Sequence, residues 1–471
     1  MENLKEKKNK NRWIILLSVV IMTFMACLDS SIVNVALPVM ARDLNVSMSS
    51  IQWVITSYLI VISCTILIGG RLGDIKGKNK VFKFGIICFT IGSFLCGISK
   101  SLVTLLAARV IQGIGAAGTM ANSQGIITNS FPSNERGKAL GISGTFVALG
   151  TMVGPPLGGF IVSFRWDFIF FINVPIGIIA FFMATKHIPK FEENNKEKLD
   201  LIGGILFLIS VALMVISVTE GELIGYGDYK IVSSFIISIL SFILFIILQK
   251  KKKSPLLDLT IFNNKLFSLS IFCGFISFVA ISCSTIIIPF YLQDVINLTP
   301  RSTGLFMMLY PIVLSIIAPF SGSLSDRIGS EFPAFLGLLL TSIGLFLMAI
   351  LNVSSPLWLI AVFTTIMGIG NGFFQSPNNS LIMSTVPNTK LGIAGSVNSL
   401  VRNLGMILGV TLSTTLLYNR MSAKIGYSVD NYIPGRNDVF IYGMRWVYIV
   451  SGSICLLGVL LSFIRLIKRK K

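Results

Sequence analysis

Three ionisable side chains stand deep inside long apolar runs: Asp29, Arg109 and Arg402. In hydrocarbon such a group is costly unless it is paired or put to use. Asp29 lies in the segment Leu28-Asp29-Ser30-Ser31-Ile32-Val33-Asn34-Val35-Ala36-Leu37-Pro38 and is the only acid in the middle third of any apolar run. A carboxyl group withdrawn from water is suited to carrying a proton. Asp29 stands about nine residues before the outer end of its run, roughly 13 Å of helix. Arg109 stands about seven residues beyond the outer end of its own run, roughly 10 Å. The two are therefore expected at similar depth. Two readings stay open: a proton carrier tuned by a neighbouring guanidinium, or a static ion pair that orients two helices. Arg402 has no obvious acidic partner, since no acid stands mid-span in its half. It faces a water-filled cavity or an anionic substrate group, or it is held by backbone carbonyls. Together with Asn34, Tyr58 and Gln112 it forms the candidate lining of a substrate cavity.

Other chemistries find little support. The one histidine, His187, cannot make a metal cluster alone. The seven cysteines all fall inside apolar runs, with no C-x-x-C pair, and read as small apolar fillers. A membrane-embedded enzyme would need acids, histidines or cysteines gathered at an interface, and the sequence shows none. Neither a metal nor a cofactor is expected.

The elements that must position these residues are membrane spans. Of 471 residues, 53% are hydrophobic and 13% charged, with a mean hydropathy of +0.81. Soluble domains carry about a quarter charged residues, so no water-facing surface can be built here. A disordered chain and a disulfide-stapled scaffold are excluded on the same grounds. Apolar runs long enough to span a bilayer number fourteen: 13–38, 50–70, 81–99, 102–130, 137–163, 168–186, 201–219, 231–249, 266–294, 302–323, 332–351, 356–380, 392–418 and 443–466. Of the 39 Lys and Arg, 28 fall on the termini and every second loop, nine on the opposite loops, and two inside spans. That asymmetry places both termini in the cytoplasm. The net charge of +19 is then an orientation signal and an attraction to anionic lipid, not a nucleic-acid footprint.

The chain repeats itself. Gly70-Arg71-Leu72-Gly73-Asp74-Ile75-Lys76-Gly77 returns as Gly322-Ser323-Leu324-Ser325-Asp326-Arg327-Ile328-Gly329, and Leu140-Gly141-Ile142-Ser143-Gly144 returns as Leu391-Gly392-Ile393-Ala394-Gly395. The simplest account is an all-α integral membrane protein of two six-helix bundles with two inserted central spans. Its parts would be a cytoplasmic tail (1–12), a first bundle (13–186), a linker with the extra spans (187–265), a second bundle (266–466) and a tail (467–471). Two like bundles suit a rocking transporter with its site near the midplane. Gly70, Asp74 and Gly77, with their twins Asp326 and Arg327, read as paired cytoplasmic gating loops. Asp74 is expected where the next helix begins. Gly150, Gly154, Pro155, Pro156, Gly158 and Gly159 crowd one span, where small residues let helices approach and prolines weaken the ladder. They read as a hinge.

These motifs together resemble the drug:proton antiporters of the major facilitator superfamily, in its fourteen-span branch. The 70–80 loop resembles the signature loop of that superfamily, with Ile75 in place of its usual arginine. Arg109-Val110-Ile111-Gln112-Gly113-Ile114-Gly115 resembles the span-4 motif, and the 150–159 stretch resembles the antiporter motif. Phe164-Arg165-Trp166 and Ile172-Asn173-Val174-Pro175 also fit. The resemblance implies alternating access, proton coupling through Asp29 and Arg109, and export of an amphipathic drug from the cytoplasmic membrane by a monomer. An endogenous metabolite or lipid as the cargo is the alternative.

Overall fold

The computed structural model describes residues 2–132, 136–189, 199–252, 255–257, 259–386 and 391–469. Parts of the 187–265 linker, including 190–198, lie outside them, as do residues 470–471 of the tail. The first half comprises α1 (Glu2–Asp43), α2 (Met48–Ile51), α3 (Trp53–Lys76), α4 (Lys78–Ile98), α5 (Leu102–Ser130), α6 (Arg136–Val162), α7 (Phe168–Phe171) and α8 (Asn173–His187). The inserted hairpin is α9 (Leu201–Ile224) and α10 (Tyr229–Lys251). The second half comprises α11 (Lys265–Phe290), α12 (Pro300–Met307), α13 (Leu309–Ile328), α14 (Glu331–Met348), α15 (Leu357–Ser384), α16 (Leu391–Ile425) and α17 (Asn437–Arg469). Among the described residues there is no strand. Thirteen helical stretches are long and apolar enough to cross a membrane, and α6 adds the shorter apolar helix Leu149–Val162.

Three expected spans are broken: 50–70 at Gln52, between α2 and α3, and two more where proline explains the break. α7 ends at Phe171, four residues before Pro175, and α12 ends at Met307, four before Pro311. A proline ring clashes with the carbonyl four residues earlier and offers no N–H to it. α6 behaves differently: it stays one helix through Pro155 and Pro156.

The repeat is built into the packing. α1 lies on α6, and α4 and α3 lie on α5; in the second half α11 lies on α16, and α14 and α13 lie on α15. The glycines fix the correspondence. A methyl group added at Gly150 would meet Phe24 O, Cys27 Cβ and Leu28 N; at Gly405 it would meet Phe275 O, Phe278 Cβ and Val279 N. Gly113 packs on Val61 and Tyr58 O, as Gly368 packs on Val313 and Tyr310 O. Gly92 packs on Gln112, as Gly344 packs on Met367. The gating loops match too. Gly77 (φ 100°) and Gly329 (φ 91°) end α3 and α13 in backbone conformations that favour glycine, each donating its N–H to the carbonyl four residues before.

Asp74 needs a correction. It lies in the last turn of α3, which runs on to Lys76, and does not begin α4. Gly77 is the first residue whose backbone stops the helix. Asp326 holds the same place in α13. The side chains of Asp74 and Asp326 lie outside the described part of the structure. Gly70 is within α3 beside Ala121, and Arg327 is exposed.

α9 packs on α10 and leans on both α3 and α16, one helix from each half. The hairpin is clamped at its terminal-side end. Asp200 accepts from Gly203 N (2.8 Å), Gln249 Nε2 (2.8 Å) and Lys252 Nζ. Gln249 Oε1 in turn accepts from Leu256 N (2.7 Å) and Leu257 N (3.2 Å). Burial works against the Asp200 charge, but the bonds from Lys252, Gly203 and Gln249 outweigh it and hold the carboxyl below its ordinary range. Its stabilising contribution is therefore complete at neutral pH and fades only as pH falls through the depressed value. Gln249→Leu would strand two backbone donors and remove one carboxylate partner. We expect a loss of about 1–3 kcal/mol, read as a lower melting temperature of the purified chain in detergent. Unchanged melting would mean the clamp does not bear on stability.

The halves are tied together at the end away from the termini. There Gly159 and Gly304 let α6 and α12 touch backbone to backbone. Met48 N donates to Asn431 Oδ1 (2.9 Å), Tyr418 OH lies 2.7 Å from Met48 Sδ, and Gln293 Nε2 donates to Val35 O (3.4 Å).

Candidate functional site

Asp29 is at the centre of a fully buried polar cluster. Arg109 Nη1 donates to its Oδ2 at 2.6 Å, and Gln112 Nε2 (2.9 Å) and Asn173 Nδ2 (2.8 Å) donate to its Oδ1. Arg109 and Gln112 are three residues apart on α5 and so share a face. Arg109 Nη1 also donates to Gln112 Oε1 (2.6 Å), and Arg109 Nε to Val54 O (2.8 Å). Gln112 Nε2 reaches Ser93 Oγ on α4 (2.8 Å). The guanidinium carbon lies 4.3 Å from the Tyr58 ring centre and 5.5 Å from that of Phe170. The side chains of Asp29 and Arg109 are 0% exposed. Asn173 reaches the cluster because Pro175 breaks the span just before it, making it the first residue of α8.

This arrangement has a definite chemistry. Three N–H donors converge on two carboxylate oxygens, and none of them can accept a proton. The cluster is complementary to an ionised Asp29. Protonation would turn an acceptor into an O–H donor facing donors, and would leave Arg109 buried without a countercharge. Removing one partner from a buried pair typically costs about 3–5 kcal/mol, so the two protonation states cannot share this geometry. Arg109 Nη2, Tyr58 OH and Asn173 Oδ1 are buried without a hydrogen-bond partner among the described residues, which leaves hydrogen-bonding capacity beside the pair.

The expected residues fall into three places. Asp29 and Arg109 pair as expected. Tyr58 and Gln112, expected on the cavity wall, are packed around that pair instead. Asn34 is half-buried on α1, outside the cluster, and Arg402 is half-buried on α16 with no hydrogen bond or ion pair among the described residues. Among the proposed hinge residues, Gly150, Gly154 and Gly158 seat α6 against α1, at Cys27, Ser31 and Ile32. Gly159 and the Pro155 carbonyl face Gly304 of the other half, and Pro156 follows within the helix. Three contributors were not foreseen: Asn173, Ser93 and the Val54 carbonyl. Asn173 had a signal, an amide two residues before a proline inside an apolar run. Arg465 was also misplaced. It is one of the 28 Lys and Arg assigned to the termini and loops, yet it is buried in α17 and donates from Nη1 to Ser270 Oγ (3.1 Å).

Among the described residues the second half has no such cluster. Gln112 corresponds to Met367 through the matched glycines. Carrying the α1 and α11 match on by one residue sets Asp29 against Ala280. The charged machinery thus belongs to one half of a nearly symmetric frame.

The Major Facilitator Superfamily profile matches residues 19–410 and 270–471. The chain belongs to the major facilitator superfamily. It is 36% identical over 456 residues to the riboflavin transporter RibZ of Clostridioides difficile, covering 96% of this chain and 97% of that one. It is 30% identical over 428 residues to the multidrug resistance protein Stp of Mycobacterium tuberculosis (90% and 80% covered). It is also 30% identical over 433 residues to multidrug resistance protein 3 of Bacillus subtilis (90% and 83%). The fold matches a bacterial homologue of the human lysosomal transporter Spinster, in an inward-facing and unoccupied conformation, with a TM-score of 0.66 at 17% identity and 96% of both chains covered. It also matches the Escherichia coli xylose transporter XylE, partially occluded and inward open, at 0.63 and 12%, covering 96% and 97%. As a superfamily member it is a multi-pass membrane transporter.

Proposed function

We propose that this superfamily member is a proton-coupled exporter of amphipathic toxic compounds, working in the cytoplasmic membrane with both termini inside. The observation that carries this reading is the Asp29 cluster, a buried carboxylate whose two protonation states require different geometries. Protonation from outside would part Asp29 from Arg109, and release inside would restore the pair seen here. The two halves, 13–186 and 266–466, would rock about the seam where α6 meets α12 and α3 meets α16. The tie at the end away from the termini suits an inward-facing state, the state named for both matched structures. The multidrug names of relatives at 30% identity support drugs as cargo.

A second reading has its own observation. The riboflavin transporter matches at 36% identity over nearly the full length of both chains, which favours a flavin-like metabolite. One experiment weighs both. An efflux-deficient bacterial host carries the wild type or an empty vector, and is tested for resistance to diverse toxic compounds and for riboflavin movement. Resistance with no effect on riboflavin supports drug export. Riboflavin movement without resistance supports the metabolite reading, and neither, with good membrane expression, overturns both.

A further inference from the structure

The Arg402 guanidinium is the anomaly in this structure. It lies on α16, five residues past the start of the membrane-crossing stretch Val397–Ile425. It is half-buried, and among the described residues nothing bonds it. An unpaired guanidinium at that depth calls for a partner or a polar space to face.

Its surroundings can be read from the packing. Arg402 shares a helix face with Gly405, three residues on. Gly405 touches α11 at Phe275 and Phe278. The helix that carries it, α16, also packs on α3 of the other half. Phe24 of α1 is the counterpart of Phe275, and its ring meets Phe146 edge-on at 6.4 Å. Phe24, Phe146, Phe275 and Phe278 are all half-buried. Arg402 therefore stands one turn from the seat of Gly405 on Phe275 and Phe278, on a helix that packs against both halves. Asp29, the acid in the middle of α1, is fully buried and committed to Arg109, Gln112 and Asn173. It cannot neutralise Arg402, and it cannot greet a cation.

We propose that Arg402 is the recognition subsite of the transport cavity, selecting planar aromatic compounds with an anionic or carbonyl-rich edge over cations. This rests on the reading of the chain as a carrier of small amphipathic compounds. A guanidinium offers a flat fork of donors that suits such an edge, and aromatic rings suit the plane of the ligand.

The test is binding of three fluorescent planar dyes to the purified full-length chain in detergent, read by anisotropy. They are carboxyfluorescein (anionic), riboflavin (uncharged, with a carbonyl-rich edge) and ethidium (cationic). Wild type is expected to bind carboxyfluorescein and riboflavin more tightly than ethidium. Arg402→Gln should weaken carboxyfluorescein about ten- to a hundredfold, the usual worth of a hydrogen bond to a charged group, and bind ethidium more tightly, since a like charge is gone. Arg402→Glu should reverse the order. Arg402→Lys, which keeps charge but loses the fork, should fall between wild type and Arg402→Gln. Ethidium bound as tightly as carboxyfluorescein by wild type overturns the proposal. So does an order unchanged in Arg402→Gln, or no binding of either favoured dye. No proton gradient enters this measurement, so a failure of proton coupling would leave its outcome intact, and the reverse holds too.

Discussion

Asp29→Asn is expected to abolish concentrative transport while leaving the chain folded and able to exchange substrate. One proton moving down a gradient of one pH unit supplies about 1.4 kcal/mol. A potential of 100 mV adds about 2.3 kcal/mol per charge. Together these sustain roughly a 500-fold accumulation ratio for an uncharged substrate exchanged for one proton. Without a titrating group at position 29 that ratio should collapse to unity. Proteoliposomes with an imposed gradient measure it directly. Exchange of labelled for unlabelled substrate, with no gradient, should survive, since it needs only the rocking of an unchanging site. The substitution has a structural cost. It leaves Arg109 buried without its countercharge, about 3–5 kcal/mol, and the new amide must turn its NH2 towards at least one of the donors from Arg109, Gln112 or Asn173. Asp29→Glu keeps a titrating group and guards against a trivial folding effect. Gradient-driven accumulation retained in Asp29→Asn would remove Asp29 from the coupling path.

How much of this was written in the sequence differs from residue to residue. The spans were legible because bilayer crossing demands long apolar runs, and composition leaves no other use for them. The pairing of Asp29 with Arg109 was legible because depth follows from counting residues along two helices. The role of Gln112 was half legible. Its position one turn from Arg109 could be read, but whether that face turned to the cavity or to α1 depended on packing. Asn173 was hidden for a different reason: a proline break two residues away sets its direction. The repeat was visible at its loops, yet loop lengths shift the register, from 252 residues between Gly77 and Gly329 to 255 between Gly113 and Gly368. Only the glycine contacts show that Met367 stands for Gln112. Arg465 escaped because the last apolar run fades into a basic tail, and hydropathy cannot place that edge within a turn.

Gly304→Leu is expected to push the transporter towards the state that opens away from the termini. In this structure a methyl group at Gly304 would lie 2.3 Å from the Pro155 carbonyl oxygen and 3.1 Å from Gly159 Cα. Both are backbone atoms of a helix and cannot yield as a side-chain tip can. Overpacking of this kind costs about 1–3 kcal/mol or more, and the cost falls only on the state in which α6 and α12 touch. At about 3 kcal/mol the balance between the two states moves by roughly a hundredfold. Spin labels on Phe164→Cys and Tyr427→Cys report it, because both residues are exposed and flank this end from opposite halves. Their separation should lengthen in Gly304→Leu and, less fully, in Gly304→Ala. Transport should fall with it, since a cycle needs both states to be reachable, while the seating of α6 on α1 through Gly150 and Gly154 is untouched. An unchanged distance with normal transport would mean that the contact of Gly159 with Gly304 is a passive packing detail and that the gate closes elsewhere.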